Sequence, residues 1–164
     1  MTSGYRIRPA TPHDVEVLVG FTLHEAQDAE RVSLDPSRVR RGVALALQDP
    51  ALARYWVVEA PDGEVVASAS VTTEWSNFHG GHYWWVQSLF VDPSHRGDGL
   101  VDQLLDHLAQ TAAANGALDL RLYAHEVNTR ARRVYDRCGF TLAPYVLMKR
   151  SLATARDKAA IPAS

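Results

Sequence analysis

The chain has 164 residues, 46% of them hydrophobic and 22% charged, which fits one globular domain with an apolar core. Its 17 Lys and Arg nearly balance its 19 Asp and Glu, and the formal net charge of -2 gives no broad field for binding nucleic acid or an anionic membrane. The single cysteine, Cys138, excludes an intramolecular disulfide and the cysteine-rich metal modules.

The first third of the chain predicts one strand and two helices. Residues 5–9 read as a short strand. Thr11, followed by proline, is a typical N-cap for a helix that runs to about Glu30. Asp35, again followed by proline, repeats the signal for a second helix.

The middle of the chain predicts an antiparallel meander. Residues 54–60, 64–74 and 82–91 are rich in β-branched and aromatic residues and read as three strands joined by tight turns. The third strand is so apolar that we expect it to be central in the sheet, with both faces covered.

The last third predicts a helix, a strand, a helix and a strand, at residues 100–115, 118–124, 128–138 and 145–152. The crossover between 82–91 and 118–124 implies a parallel pair inside a mixed sheet. We therefore expect one α+β domain over residues 1–152, followed by a disordered tail at 153–164. Because the chain has no signal-like N-terminus and no apolar segment of membrane length, we expect it to be soluble and cytoplasmic.

The loop between the third meander strand and the next helix has the features of an anion site. Free N–H groups of a glycine-containing turn and of a helix N-terminus point the same way, which favours a phosphate or pyrophosphate. Gly97 and Gly99 allow close approach of the backbone, and Arg96 adds a positive charge. The alternative is a surface turn that uses glycine only for its conformation.

Residues 96–101, Arg-Gly-Asp-Gly-Leu-Val, resemble the Arg/Gln-x-x-Gly-x-Gly/Ala motif of the GNAT superfamily of acetyltransferases, whose backbone amides hold the coenzyme A pyrophosphate. Arg96 and Gly99 match this motif. Val101 departs from it, since the family usually has Gly or Ala there, and a branched side chain could crowd the pyrophosphate.

A second segment, residues 128–140, is similar to the family's Asn-x(n)-Ala-x(n)-Tyr-x(n)-Gly-Phe pattern. Together the two motifs extend the resemblance over nearly the whole domain. It implies the GNAT fold, a central mixed and mostly antiparallel sheet flanked by helices, with one parallel strand–helix–strand crossover. The chain looks most like small-amine or polyamine-type members of poorly defined substrate.

The resemblance also implies the residues of the site. The expected coenzyme A contacts are Leu89, Phe90, Val91, Arg96, Gly97, Asp98, Gly99, Leu100, Val101, Asn128, Arg132 and Tyr135. The backbone N–H of Leu89 is expected to polarise the thioester carbonyl, and Tyr135 to protonate the departing thiolate. Without the resemblance, Tyr135 reads as a core aromatic residue that packs the last helix, and Asn128 reads equally as a plain N-cap.

The general base is less clear from the sequence. Many polyamine-type relatives have an acid two residues before the Leu-Phe-Val strand end, but this chain has Gln87, which is no useful proton acceptor. We favour Glu74 as the base, with His79 or His82 as alternatives. A water relay without a dedicated base stays open.

The expected acceptor is a small amine. Glu25, Asp28 and Glu30 could attract its positive charge, although a solvated helix end explains them too. A cluster of aromatic residues could wall the acceptor pocket, namely Trp75, Phe78, Tyr83, Trp84 and Trp85. No metal is expected, since His79 and His82 lack a carboxylate or cysteine at ligand spacing.

The resemblance thus implies transfer of an acetyl group from acetyl-CoA to a primary amine of a small molecule, by direct attack in a ternary complex. A homodimer formed through the last strand is a further expectation. Gln87 and Val101 keep one alternative open, a coenzyme A binder or a scaffold that serves another biosynthetic step. An adaptor domain without a cofactor is a second alternative.

Overall fold

The computed structural model describes residues 4–152, apart from the side chain of Glu30. The tail predicted at residues 153–164 lies outside the described residues. The strands are β1 (Arg6–Pro9), β2 (Arg54–Glu59), β3 (Val65–Ser76), β4 (Gly81–Val91) and β5 (Leu120–Leu122). The α-helices are α1 (Val15–Glu25), α2 (Pro36–Gln48), α3 (Leu100–Ala114) and α4 (Thr129–Arg137). None of the helices within residues 4–152 is long and apolar enough to cross a membrane.

The strands form one sheet in their order along the chain, from β1 to β5. The first three pairings are antiparallel, and β4 pairs with β5 in parallel through the crossover helix α3. This is the mixed, mostly antiparallel sheet with one parallel crossover that the sequence predicts.

The sheet is the middle layer between two groups of helices. Along β2, Trp56 and Val58 point to the face covered by α3, where Leu104 and Leu108 are fully buried. Val57 points to the opposite face, which is covered by α1 and α2. Because successive side chains of a strand alternate between faces, one apolar run supplies both cores.

A buried ion pair attaches the start of the first helix to β1. The Arg8 guanidinium donates to both carboxylate oxygens of Asp14, at 2.8 and 2.9 Å, and the backbone N–H of Thr11 donates to the same carboxylate at 2.7 Å. The contact with Arg8 is the largest cause that lowers the pKa of Asp14, which falls from 3.8 to about 2. Asp14 is 5% exposed, so its charge depends on these partners.

The predicted last strand is wrong for this single chain. Residues 145–152 are irregular and pair with none of the described strands. Six large apolar side chains stay exposed in this part of the chain: Leu142, Tyr145, Val146, Leu147, Met148 and Leu152. Apolar composition reports a preference for a sheet, but a strand forms only where an edge accepts its hydrogen bonds. The homodimer expected through this segment stays a prediction.

Candidate functional site

A cleft opens between β4 and β5. The parallel pairing of the two strands ends at Val86 and Leu122, while β4 continues to Val91. The backbone of residues 87–91 therefore extends past the end of β5. We call this opening the cleft.

A β-bulge at Gln87 accounts for the divergence of the strands. Ser88 pairs with Ser70 and Val86 pairs with Val71, so Gln87 is an extra residue on β4. A bulge bends its strand and increases the local twist, which turns the end of β4 away from β5. The side-chain amide of Gln87 donates to Oγ1 of Thr72 at 3.2 Å.

The backbone N–H of Leu89 points into the cleft. It approaches Oε1 of Glu25, the last residue of α1, at a distance of 3.5 Å. One turn earlier on the same face of α1, Phe21 stacks on Phe90 with ring centroids 4.5 Å apart. The end of α1 thus lies directly over the end of β4.

The loop that follows β4 exposes backbone toward the same region. Gly97 and Gly99 have φ values of 100° and 74°, which side chains rarely adopt, and a Cβ at either position would meet no atom within 4 Å. Gly99 is the N-cap residue of α3, and as a glycine it has no side chain that could accept a hydrogen bond from the first turn. Val101 packs against the core beside the fully buried Leu100, so its side chain is engaged there.

Contacts of the Arg96 and Tyr5 side chains hold this loop in place. The Arg96 side chain donates through Nε to the carbonyl of Val91 at 3.1 Å, and its Nη2 lies 3.6 Å from the carboxylate of Asp28. Asp28 belongs to a single π-helical turn, Ala26–Glu30, that follows α1. On the other side, the Tyr5 hydroxyl donates to the Asp98 carboxylate at 2.9 Å.

Helix α4 carries the predicted tyrosine, Tyr135, within electrostatic reach of Glu25. Asn128 caps the helix by accepting from the N–H of Ala131 at 3.0 Å, which confirms its N-cap interpretation. Tyr135 is half-buried against the core. Burial raises the pKa of Tyr135, and the negative charge of Glu25 raises it further, so the two side chains are within electrostatic reach. The Arg132 side chain donates to the carbonyl of Glu126 at a long distance, 3.5 Å.

The structure does not bring Glu74 to Leu89. Glu74 pairs in register with Tyr83, six residues before Leu89, and this separation is about 20 Å along a strand. Its carboxylate accepts a hydrogen bond from Nε1 of Trp85 at 2.6 Å. His79 and His82 lie at the same remote end of the β3–β4 hairpin.

The aromatic cluster divides between the core and the surface. Trp84 is 3% exposed and belongs to the core, while Phe78 is 96% exposed in the hairpin turn. Neither side chain lines the cleft at Leu89.

Two features near the end of β4 are not predicted from the sequence. Tyr55, Ser70 and Ser88 form a row of hydrogen-bonded hydroxyls across three strands, with the two serine oxygens 2.7 Å apart. From the sequence, Glu25 is expected only to attract an amine by its charge. Its position seven residues after the buried Leu18 continues the buried face of α1, and a carboxylate on such a face is an unusual signal.

Neither metal binding nor thiol chemistry has support in the described residues. Within residues 4–152, no group of three or more His, Cys, Asp or Glu side chains could hold a metal ion. Cys138 donates to the Asp102 carboxylate at 3.3 Å. Burial, followed by this contact, raises the pKa of the Cys138 thiol to about 11, which keeps the thiol protonated.

Comparisons with known proteins agree on one family. The model of the acetyltransferase (GNAT) family matches residues 21–140. The chain is 33% identical over 121 residues to a mycothiol acetyltransferase of Beutenbergia cavernae, covering 74% of this chain and 37% of that protein. It is 28% identical over 160 residues to a streptothricin acetyltransferase of Streptomyces lavendulae, covering 84% and 82% of the two chains.

Solved structures share the fold. A possible acetyltransferase from Clostridium difficile 630 superposes with a TM-score of 0.87 and 25% identity, covering 93% of this chain and all of that one.

The chain spans only 37–42% of the length of the mycothiol acetyltransferases it matches.

Proposed function

The chain belongs to the acetyltransferase (GNAT) family, and we propose that it transfers an acetyl group from acetyl-CoA to a primary amine of a small molecule. The amine attacks directly while both substrates are bound in one ternary complex. The observation that carries this proposal is the N–H of Leu89, which points out of the sheet into the cleft. Glu25, which contacts this donor, is within electrostatic reach of the half-buried Tyr135.

The described residues fit acetyl-CoA as a substrate. The pyrophosphate would accept hydrogen bonds from the amides of residues 97–101, with Arg96 adding a positive charge. Open space at Gly97 and Gly99 supports this assignment. Because the Val101 side chain packs against the core, its branched shape is no obstacle to the amide of the same residue. The free edge of β4 at residues 87–91 can pair with an extended pantetheine arm.

Two groups of the chain would then promote the transfer. Acetyl-CoA supplies the acetyl group as an activated thioester. The N–H of Leu89 stabilises the negative charge that develops on the thioester oxygen. Tyr135 gives its proton to the departing sulfur, and its raised pKa keeps that proton in place at neutral pH.

The acceptor is proposed to be a small cationic amine. Two relatives are named for small molecules, mycothiol and streptothricin. The acidic residues Glu25 and Asp28 lie at the mouth of the cleft and would attract a positive charge.

One alternative has a specific observation behind it. Gln87 occupies the position where many polyamine-type members have an acid, and its amide is engaged with Thr72. This residue favours a domain that binds coenzyme A without transferring an acetyl group.

Calorimetric titration of acetyl-CoA and free coenzyme A, followed by thiol-release assays with a panel of primary amines, separates these proposals. Binding with amine-dependent thiol release supports the acetyltransferase. Binding without release on any amine favours the coenzyme A binder. Failure to bind either compound at about millimolar concentration, the weak end of specific binding, overturns both.

A further inference from the structure

We propose that Glu25 is the general base that removes a proton from the acceptor amine, and that acetyl-CoA displaces its carboxylate from the Leu89 N–H for this step. The inference rests on the proposed function. It assigns to α1 a role that the sequence had led us to seek on the β3–β4 hairpin.

The packing of α1 on β4 fixes the position of Glu25. Phe21 and Glu25 are four residues apart on one face of α1, and they contact Phe90 and Leu89, which are neighbours on β4. The stacking of Phe21 on Phe90 therefore sets how close the Glu25 carboxylate comes to the cleft. The chain widens into a π-helical turn immediately after Glu25, and such turns often occur at functional sites.

Three other elements bring groups near Glu25. These groups include the N–H of Leu89 on β4, Tyr55 on β2 and Tyr135 on α4. The negative charge of Glu25 contributes to the raised pKa of both tyrosines, after burial as the largest cause. On its own helix and the turn after it, His24 and Asp28 pair with each other at 3.2 Å.

The contact between Glu25 and Leu89 also suggests how the base is controlled. At 3.5 Å, this contact is at the outer limit of an N–H···O hydrogen bond. A carbonyl oxygen at the ordinary distance of about 2.9 Å would replace the carboxylate on the Leu89 N–H. The thioester carbonyl that the N–H is proposed to hold is such an acceptor. The displaced carboxylate then lies within a few ångströms of the attacking nitrogen, because reacting atoms must approach to about 3–3.5 Å.

The protons and electrons balance with these groups. Glu25 takes one proton from the bound ammonium, which leaves a lone pair on nitrogen. That pair forms the bond to the acetyl carbon, and the carbon–sulfur bond breaks with its electrons on sulfur. Tyr135 protonates the sulfur and is restored by the second proton that leaves the nitrogen. The proton on Glu25 returns to solvent, so one proton is released per turnover.

The decisive variant is Glu25→Gln, which keeps the shape of the side chain and removes the proton acceptor. At about pH 7, kcat/KM for a basic alkylamine should fall about 100-fold, the low end of the effect of a general base. The loss should shrink as the pH approaches the pKa of the amine, because solvent then supplies the neutral form. Glu25→Asp should recover part of the activity. Glu16→Gln is the matched control, an exposed glutamate of the same helix that pairs with Arg40.

A second comparison separates a base from a residue that only binds the cation. Fluorinated analogues of the same amine, whose nitrogen is less basic, should lose less than about tenfold with Glu25→Gln, because they need less help with deprotonation. If the variant instead raises KM equally for all amines and leaves kcat unchanged, Glu25 is a binding residue and the inference is overturned.

A readout without turnover tests the contact itself. In isotope-labelled free protein, the Leu89 amide resonance should shift as carboxylates titrate, and Glu25→Gln should abolish this shift. Saturation with acetyl-CoA should abolish it in the unchanged protein as well. A Leu89 amide that never responds to Glu25 overturns the inference.

The inference and the proposed function fail in distinguishable ways. An unchanged protein that neither binds acetyl-CoA nor releases thiol overturns both. An active protein whose Glu25→Gln variant keeps its rate and pH profile overturns the inference alone.

Discussion

The carboxylate of Asp28 lies 3.6 Å from the guanidinium of Arg96, which ties the π-helical turn after α1 to the loop before α3. Both elements border the cleft. Asp28 thus forms an ion pair with the arginine that a phosphate group of coenzyme A would contact. When coenzyme A binds, its phosphate has to replace the Asp28 carboxylate beside Arg96.

Asp28→Asn should therefore tighten coenzyme A binding, by up to about fivefold, the range expected for breaking an exposed ion pair. Arg96→Ala should weaken binding about tenfold. In the Arg96→Ala background, Asp28→Asn should have no effect, because the partner is gone. Calorimetry on the four proteins measures the coupling, and Asp119→Asn, which removes a surface partner of Arg121, is the control. Weaker binding by Asp28→Asn would contradict the exchange.

Tyr135→Phe should lower kcat about 100-fold, with little change in the affinity for acetyl-CoA, because only the proton donor is removed. The ordinary pKa of 10.0 is raised in Tyr135 by burial and then by Glu25. The acid form is lost as the pH rises through this raised pKa, so a decline in kcat caused by Tyr135 should come at a higher pH than an ordinary tyrosine would give. Stopped-flow thiol release measures both effects. An unchanged kcat in the variant would exclude the acid role.

Glu74→Gln should change kcat/KM less than about threefold, because the carboxylate is about 20 Å along the sheet from Leu89. Its hydrogen bond with Trp85 is retained by the carbonyl of glutamine. Steady-state assays beside Glu25→Gln compare the two carboxylates directly. A large loss in Glu74→Gln with none in Glu25→Gln would restore the hairpin as the location of the base.

Asp14→Asn should lower the free energy of unfolding by about 2 kcal/mol at neutral pH, the equivalent of a pKa lowered from 3.8 to about 2. Because the folded-state pKa is depressed, this contribution is present above 3.8 and is lost as the pH falls toward about 2. Urea denaturation measures the free energy of unfolding of the variant and of the unchanged protein. The difference between the two values should be smaller at about pH 3 than at about pH 7. Glu64→Gln, an exposed residue of the turn before β3, is the control. An equal difference in the free energy of unfolding at both pH values would contradict the link between stability and the protonation of Asp14.

The Cys138 thiol should react with iodoacetamide about 100-fold more slowly than a free cysteine at mildly alkaline pH, because a pKa of about 11 leaves little thiolate. The rate should rise about tenfold per pH unit up to that value. Asp102→Asn should speed the reaction, since Asp102 holds the thiol proton and raises the pKa. Mass spectrometry of the labelled peptide follows the reaction. A rate equal to that of glutathione would show an accessible, unperturbed thiol.

Features set by local patterns could be predicted from the sequence. The meander of β2, β3 and β4 follows from runs of β-branched residues punctuated by turns, and α3 follows from its apolar periodicity. The glycines before α3 indicate a backbone that needs positive φ, as Gly97 and Gly99 show. The N-cap alternative for Asn128, which rests on residue type alone, is confirmed by its hydrogen bond from the N–H of Ala131.

The tertiary structure decided what depends on pairing and docking between distant segments. The Gln87 bulge opens the cleft, the packing of Phe21 on Phe90 brings Glu25 to Leu89, and the register of β3 with β4 keeps Glu74 away. The apolar composition of residues 145–152 does not indicate that they pair with none of the strands within residues 4–152. Periodicity and turn residues report the conformation of a few neighbouring residues. The distance between two side chains from different elements depends on register and helix packing, whose energies are summed over the whole core.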